Sequence, residues 1–439
     1  MRDLLTPHSA LDALRRWGLT LLLVTLVAIL SGSASAIFLF TLDRVTNLRQ
    51  QSPWFLYLLP LAGIFVVWLY KNWGGSTTRG TPLLLDAINQ PDLRVPFRMA
   101  PLVLLTTLIT HLFGGSAGRE GTALQMGGGL AGGLIHWCRI PECYRRTLLL
   151  AGIAAGFGSV FGTPLAGTVF ALEVLVLGQV RYDLLIPCLI AGLIGDLTCS
   201  AWGVQHTAYT VAPIVTKSGF LFGHFDLLLL LKISVSGIFF GLCARLFCRL
   251  NHTLQNQFQQ RIAPYWLRPV VGGLLLIALT YCLGTQSYLG LGVQSLDGNE
   301  VSLLSCFQKD GATSWSWLWK LVFTAITLSS GFKGGEVTPL FFIGAALGNI
   351  LSVFLKVPAD LLASLGFAAV FAGASKTPLA CTLLGMELFG PEFGPYLAIA
   401  CFVAYYFSGK SGIYLPTASD YQPLLINQAD QRHPKPHRV

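Results

Sequence analysis

The chain has 439 residues, 53% of them hydrophobic and only 11% charged, with a net charge of +9 and a mean hydropathy of +0.63. Soluble proteins carry about 25% charged residues, so this composition argues against a soluble enzyme. It argues equally against nucleic-acid binding, because the positive charge sits in connections and ends rather than in one basic surface.

In chain order, apolar runs long enough to cross a bilayer fall at 18–41, 54–70, 97–113, 147–177, 184–203, 225–247, 267–283, 315–331, 361–389 and 395–407. Shorter, glycine-broken apolar pieces lie near 122–137 and 338–355. These runs are continuous, whereas a transmembrane β-barrel would show short alternating segments, so the expected fold class is an all-α polytopic membrane protein. The first run ends in "SGSASA", like a signal peptide, but continues through "IFLF"; that length marks a retained first helix. Arg15, Arg16, Arg44, Arg49, Arg139, Arg145, Arg146, Arg245, Arg249, Arg261, Arg268 and Lys410 read as basic connections, with Arg432, Lys435 and Arg438 in a short polar tail, 418–439. Short basic loops mark the cytoplasmic face, so both termini are expected there. The ten cysteines show no zinc spacing, and neither a metal site nor a disulfide framework is expected.

The chain repeats itself. "TPLAGTVFALEV" from Thr163 matches "TPLACTLLGMEL" from Thr377 at an offset of 214, and "GREGTAL" from Gly118 matches "GGEVTPL" from Gly334 at an offset of 216. The outer runs follow the same frame, which gives a tandem duplication of roughly 18–213 and 225–417. Repeats in membrane transporters often have inverted topology. The substrate then binds near the midplane, where broken helices from both halves point their N-termini inward. The glycine-rich pieces 114–133 and 330–348 are the candidates here. A helix N-terminus carries orphan N–H groups and partial positive charge, glycine admits a close ligand, and the expected ligand is an anion.

Within these pieces Glu120 stands out. As a carboxylate it can occupy the anion site, and once protonated it loses its affinity for the N–H groups; the bland alternative is a first-turn acid complementing the helix dipole. Gly118, Gly121 and Val337 supply backbone around the site, and Thr338 offers a hydroxyl. Arg119 either contacts the anion or pairs with a carboxylate, since an unpaired buried charge is costly. Thr122, Phe341 and Phe342 are supporting candidates, the phenylalanines through their weakly positive ring edges; core packing is their alternative role. Glu336 reads as a helix-start acid. Glu173 and Glu387 end equivalent helices and suggest a shared structural role, with proton relay as the alternative for Glu173. Tyr414 is either an interfacial aromatic or a phenol donating to the anion. His111 and His136 read as packing residues. No HExxH, paired transmembrane aspartates or GxSxG is present to support an intramembrane enzyme.

The motifs "GREG" (118–121), "TPLAGTVFALE" and "KTPLACTLLGME", with the late tyrosine, resemble the CLC family of chloride channels and proton-coupled anion exchangers over about 18–417. The resemblance implies two inverted repeats of tilted, often partial helices, and a homodimer in the cell (inner) membrane with one pathway per subunit. It also implies Glu120 as gate and proton carrier, Tyr414 as an inner gate, and no cofactor.

The sequence departs from the chloride-handling pattern in several places. Thr122 replaces the proline of GREGP, Val337 replaces an aromatic residue, and Val174 stands where exchangers carry an inner glutamate. "TRGTP" (78–82) puts Arg79 in the place of a serine. GREGT with a GxxVTP segment is similar to the fluoride/proton antiporter branch, although Arg79 fits neither pattern. Fluoride needs dense hydrogen-bond donors to replace its water, which Thr122 and Thr338 would add. The expected function is therefore proton-coupled fluoride export, with a chloride channel or chloride/proton exchanger as the alternative.

Overall fold

The computed structural model describes residues 7–90, 92–174, 182–212, 226–294 and 300–414. The tail at 418–439, the repeat borders at 213 and 225, and residues 175–177 of the fourth expected span lie outside the described residues. Among the described residues the secondary structure is helical throughout, with a single isolated backbone bridge.

The first expected span is the middle of α1, Pro7–Gln51. At 1.5 Å per residue this helix is roughly 68 Å long, more than twice the hydrocarbon thickness. No proline interrupts it until Pro53, so it runs on through its polar flank. The signal-like small residues form a packing seam: a Cβ on Gly32 would lie 2.4 Å from the Gly195 carbonyl oxygen of α8, Leu185–Ala201. Small residues let membrane helices approach this closely. The second span is longer than expected and irregular: a 3-10 helix at Pro53–Leu58, α2, Leu59–Leu69, one π-helical turn at Tyr70–Gly74 and a 3-10 turn at Gly75–Arg79 follow one another without a gap. A short helix that the apolar pattern did not give, α3, Thr81–Asn89, follows Gly80. Gly80 has φ 64°, and a proline opens the helix.

Two expected spans are in fact pairs of helices. The stretch 147–177 divides into α6, Glu142–Phe161, and α7, Pro164–Glu173. The stretch 361–389 divides into α13, Ala359–Ser375, and α14, Pro378–Phe389. Each break is a left-handed residue followed by Thr-Pro: Gly162 at φ 70° and Lys376 at φ 68°. Proline lacks the N–H that would continue the ladder. Four other spans stand close to expectation: α4, Met99–Leu112; α10, Leu267–Leu283; α11, Ser316–Ser329; and α15, Gly394–Phe407. The span expected at 225–247 is instead the longer α9, Leu227–Arg261, which takes Arg249 and Arg261 into the helix. The two glycine-rich pieces are α5, Glu120–Trp137, and α12, Val337–Leu355.

The halves use the same contacts. A Cβ on Gly127 of α5 would sit 2.0 Å from the Gly152 carbonyl of α6, and a Cβ on Gly344 of α12 would sit 2.0 Å from the Gly366 carbonyl of α13. Glu173 ends α7, and its carboxylate accepts from the Leu379 and Ala380 N–H groups (3.1 and 2.8 Å) at the start of α14. Glu387, near the end of α14, accepts from Leu165 and Ala166 (2.9 and 2.8 Å) at the start of α7. Each acid satisfies orphan donors of the opposite half. Large apolar side chains such as Leu22, Leu61, Leu197, Leu231 and Phe354 face outward, as lipid contact requires.

Candidate anion gate between the two helix starts

The site begins where the two glycine-rich loops cross. Gly118 donates to the Gly335 carbonyl at 2.6 Å, and Gly335 donates back to Gly118 at 2.8 Å. This antiparallel bridge joins the halves and aims the starts of α5 and α12 at one point. Only glycine fits here. A Cβ on Gly335 would lie 2.8 Å from the Gly121 nitrogen, and one on Gly118 would lie 2.8 Å from Glu120 Oε2. The loop before α5 is pinned from α11: Ser116 N donates to Thr327 Oγ1 (3.1 Å), and Ser116 Oγ bonds Thr324 Oγ1 (2.9 Å). His111 Nε2 lies 3.4 Å from the Gly118 carbonyl.

Glu120 is fully buried at the first position of α5. Its side chain does not point along its own helix. Instead it reaches across to α12. Oε2 accepts from Thr338 N and Arg119 N, each at 3.0 Å, and Oε1 accepts from the Thr338 hydroxyl. Arg119 Nε stands 3.6 Å from Oε1, and the guanidinium lies 6.0 Å from the Phe161 ring. A carboxylate therefore fills the spot where two helix starts offer donors. Charge-assisted bonds of this kind are about twice as strong as neutral ones, and the buried charge needs them.

The other candidates divide. Thr338 joins the gate directly, while Val337 beside it is buried without a polar contact of its own to Glu120. Gly121 contributes by close approach. Thr122 departs from expectation: its hydroxyl bonds Thr107 Oγ1 of α4 at 2.8 Å, so it is engaged between helices. Phe341 and Phe342 pack in an aromatic core. Phe341 stacks on Phe367 at 3.8 Å, and Phe342 meets Tyr288 edge to face at 6.3 Å. Glu173 spends its carboxylate on α14. Glu336, the repeat mate of Glu120, makes no hydrogen bond to that carboxylate among the described residues. Arg79, in the place of the family's serine, turns outward to pair with Asp86 of α3.

Tyr414 is buried, against the ring of Phe170 at 5.9 Å, with a hydroxyl that has no hydrogen-bond partner among the described residues. It shares a cavity of about 10 Å³ with Thr81, Leu124, Phe170 and Val174.

Sequence reasoning missed three positions. Lys320 is a lone cation within an apolar run, a signal that intramembrane charge is functional by default. It is fully buried on α11 and donates to the carbonyls of Tyr288 (3.2 Å) and Gly290 (2.8 Å). Arg49 and Arg145, counted among the basic connections, are both buried and lie inside helices. Arg145 pairs with Glu142 at 2.7 Å.

This architecture has known counterparts. The voltage-gated chloride channel family matches residues 62–409. The chain belongs to the CLC family. A chloride/fluoride channel protein of Pseudomonas syringae pathovar tomato is 47% identical over 401 residues, covering 90% of this chain and 85% of that protein. The crystal structure of a CLC-type fluoride/proton antiporter superposes with a TM-score of 0.84 at 34% identity, covering 93% of this chain and 98% of that one. A slow cyanobacterial chloride/proton antiporter shares the fold, with a TM-score of 0.74 at 20% identity over 94% of this CLC chain and 99% of that one. The tilted, broken helices of this CLC protein are thus those of a multi-pass family of anion channels and transporters.

Proposed function

We propose that this CLC protein is a proton-coupled fluoride exporter of the cell membrane. The observation that carries the reading is the convergence of the Thr338 hydroxyl, the Thr338 N–H and the Arg119 N–H on one buried carboxylate. Glu120 takes a proton, releases these donors to the anion, and reclaims them on deprotonation. One residue thus moves a proton and opens the anion path.

Fluoride is favoured by the character of the donors. It is a stronger hydrogen-bond acceptor than chloride and about the size of water, so a hydroxyl beside an N–H compensates more of its desolvation. Of the relatives described above, the 34% identical fluoride/proton antiporter supports this reading, whereas the chloride/proton antiporter moves the other anion on the same fold. Tyr414 serves as the inner end of the path, supported by a buried hydroxyl that has no hydrogen-bond partner among the described residues. Homodimerisation, with one path per subunit, follows from the family resemblance. The cell (inner) membrane follows from the family resemblance, and cytoplasmic termini follow from the remaining basic residues that flank the apolar runs.

Chloride transport by the same gate is the competing reading. Purified protein in vesicles loaded with either anion separates the two. Fluoride efflux is expected to exceed chloride efflux by about tenfold or more, the effect of about 1.4 kcal/mol of discrimination. Equal rates would transfer the assignment to chloride.

A further inference from the structure

The turn between α2 and α3 gathers cations that the gate does not use. Segment 70–79 is a π-helical turn followed by a 3-10 turn, and most of its residues are exposed. Lys71 stands on it, 5.6 Å from the centre of the Tyr265 ring at the approach to α10. The Arg98 guanidinium, from the start of α4, lies against Gly75, where a Cβ would come within 2.5 Å of it. Arg79 pairs with Asp86. Lys333, from the loop before α12, lies 4.5 Å from the centre of the Tyr70 ring and 3.5 Å from the Thr78 carbonyl oxygen. Four cations thus meet one ten-residue segment. Asp86 is held by one of them, and among the described residues no ion pair holds Lys71, Arg98 or Lys333. The sequence explains the imbalance: 44–85 and 227–296, which include α2 and α10, contain no Asp or Glu. Asp92, in the connection to α4, is exposed and forms no ion pair with any of the four among the described residues.

The surroundings of this charge are aromatic and oily. Trp68 and Trp73 meet edge to face at 5.2 Å, and both are exposed, as are Tyr265 and Trp266. Such rings sit at the level of lipid headgroups. Behind them α2 presents an outward stripe of Leu61, Phe65 and Trp68, at the i, i+4, i+7 spacing of one helix face. The stripe runs about 10 Å along the helix and ends at the turn that carries Lys71. A polar head and an apolar tail are therefore offered adjoining surfaces.

We propose that the 70–79 turn binds the headgroup of an anionic phospholipid, with the phosphate between Lys71 and Arg98 and an acyl chain along the α2 stripe. Arg98 offers a planar fork of donors to phosphate, and Lys71 acts as a point charge beside it. The basic connections assign this end of the bundle to the cytoplasmic face, where anionic lipids attract basic side chains. The apolar stripe selects a lipid over a soluble phosphate.

The test titrates full-length protein in neutral detergent micelles with phosphatidylglycerol or phosphatidylcholine and counts bound lipid by native mass spectrometry. Wild type is expected to retain phosphatidylglycerol in preference to phosphatidylcholine. The double variant Lys71→Gln/Arg98→Gln should bind phosphatidylglycerol about thirtyfold more weakly, the effect of two surface cations. Arg15→Gln/Arg16→Gln removes two exposed cations at the start of α1 and should bind as wild type does. Equal retention of the two lipids by wild type overturns the site. So does undiminished binding in the Lys71→Gln/Arg98→Gln variant, or an equal loss in the Arg15→Gln/Arg16→Gln control, which would reduce the effect to net charge. Displacement of the lipid by inorganic phosphate would assign the patch to a soluble anion and overturn the lipid as its occupant.

Discussion

Glu120→Gln is expected to abolish proton movement coupled to fluoride while leaving a folded protein. The glutamine keeps the shape of the carboxyl and one acceptor oxygen for the Thr338 and Arg119 N–H groups. Its NH2 group then meets the Thr338 hydroxyl, which can turn to accept. What it cannot do is ionise. The amide neither carries a proton nor competes with an anion as a charge. A positioned proton-transfer group is worth about 10²–10⁴ in rate, so coupled proton flux should fall at least about a hundredfold, to that of empty vesicles. Proton flux that persists in this variant would remove Glu120 from the mechanism. The neighbouring alternative, a first-turn acid that steadies the helix dipole, predicts a modest stability loss with coupling intact.

Thr338→Val should change which anion passes. Valine has nearly the same volume and keeps the backbone N–H at 338, but it deletes the hydroxyl that reaches Glu120 Oε1. A hydrogen bond to a charged group contributes about 1.5–3 kcal/mol. Removing it weakens the clamp on the carboxylate, and on fluoride when fluoride replaces it. Chloride depends less on close donors and loses less. The fluoride-to-chloride flux ratio is therefore expected to fall about tenfold or more. A ratio equal to that of wild type would mean that the hydroxyl orders the closed gate and takes no part in selection. Thr122 offers the contrasting case: its hydroxyl is already held by Thr107 on α4, so selectivity has less to lose there.

The meeting of two glycine-flanked helix starts at Glu120 was partly legible in the sequence because its pattern is local. A charged residue between glycines, recurring at a fixed offset, marks two helix starts and an anion. The repeat frame places Glu120 and Thr338 in corresponding glycine-rich segments. What it could not give was the crossing itself, because the carboxylate of one half bonds the donors of the other across 218 residues of chain.

The helix breaks at Gly162 and Lys376 lie at the start of the matching Thr-Pro motifs. Apolar continuity on both sides nevertheless hid them, since in a protein interior both pieces are equally oily. The polar end of α1 was misjudged for the opposite reason. Hydropathy falls after residue 41, but nothing stops the backbone ladder until Pro53. Arg49 was accordingly assigned to a loop, although it is a buried helical residue. Burial of a long cationic side chain depends on what folds over it, here the loop around Gly290, and that is not written in the local sequence.

The most direct test of the mechanism is whether a fluoride gradient drives protons uphill. Sealed vesicles containing the protein would be loaded with fluoride at a pH well above the range in which HF forms, with the membrane potential clamped by potassium and valinomycin. Fluoride leaving through an antiporter should pull protons in, acidifying the lumen against an opposing pH gradient, and collapse of the fluoride gradient should reverse the flow. Fluoride efflux accompanied only by protons running down their own gradient would contradict coupling at Glu120 and leave a passive anion path.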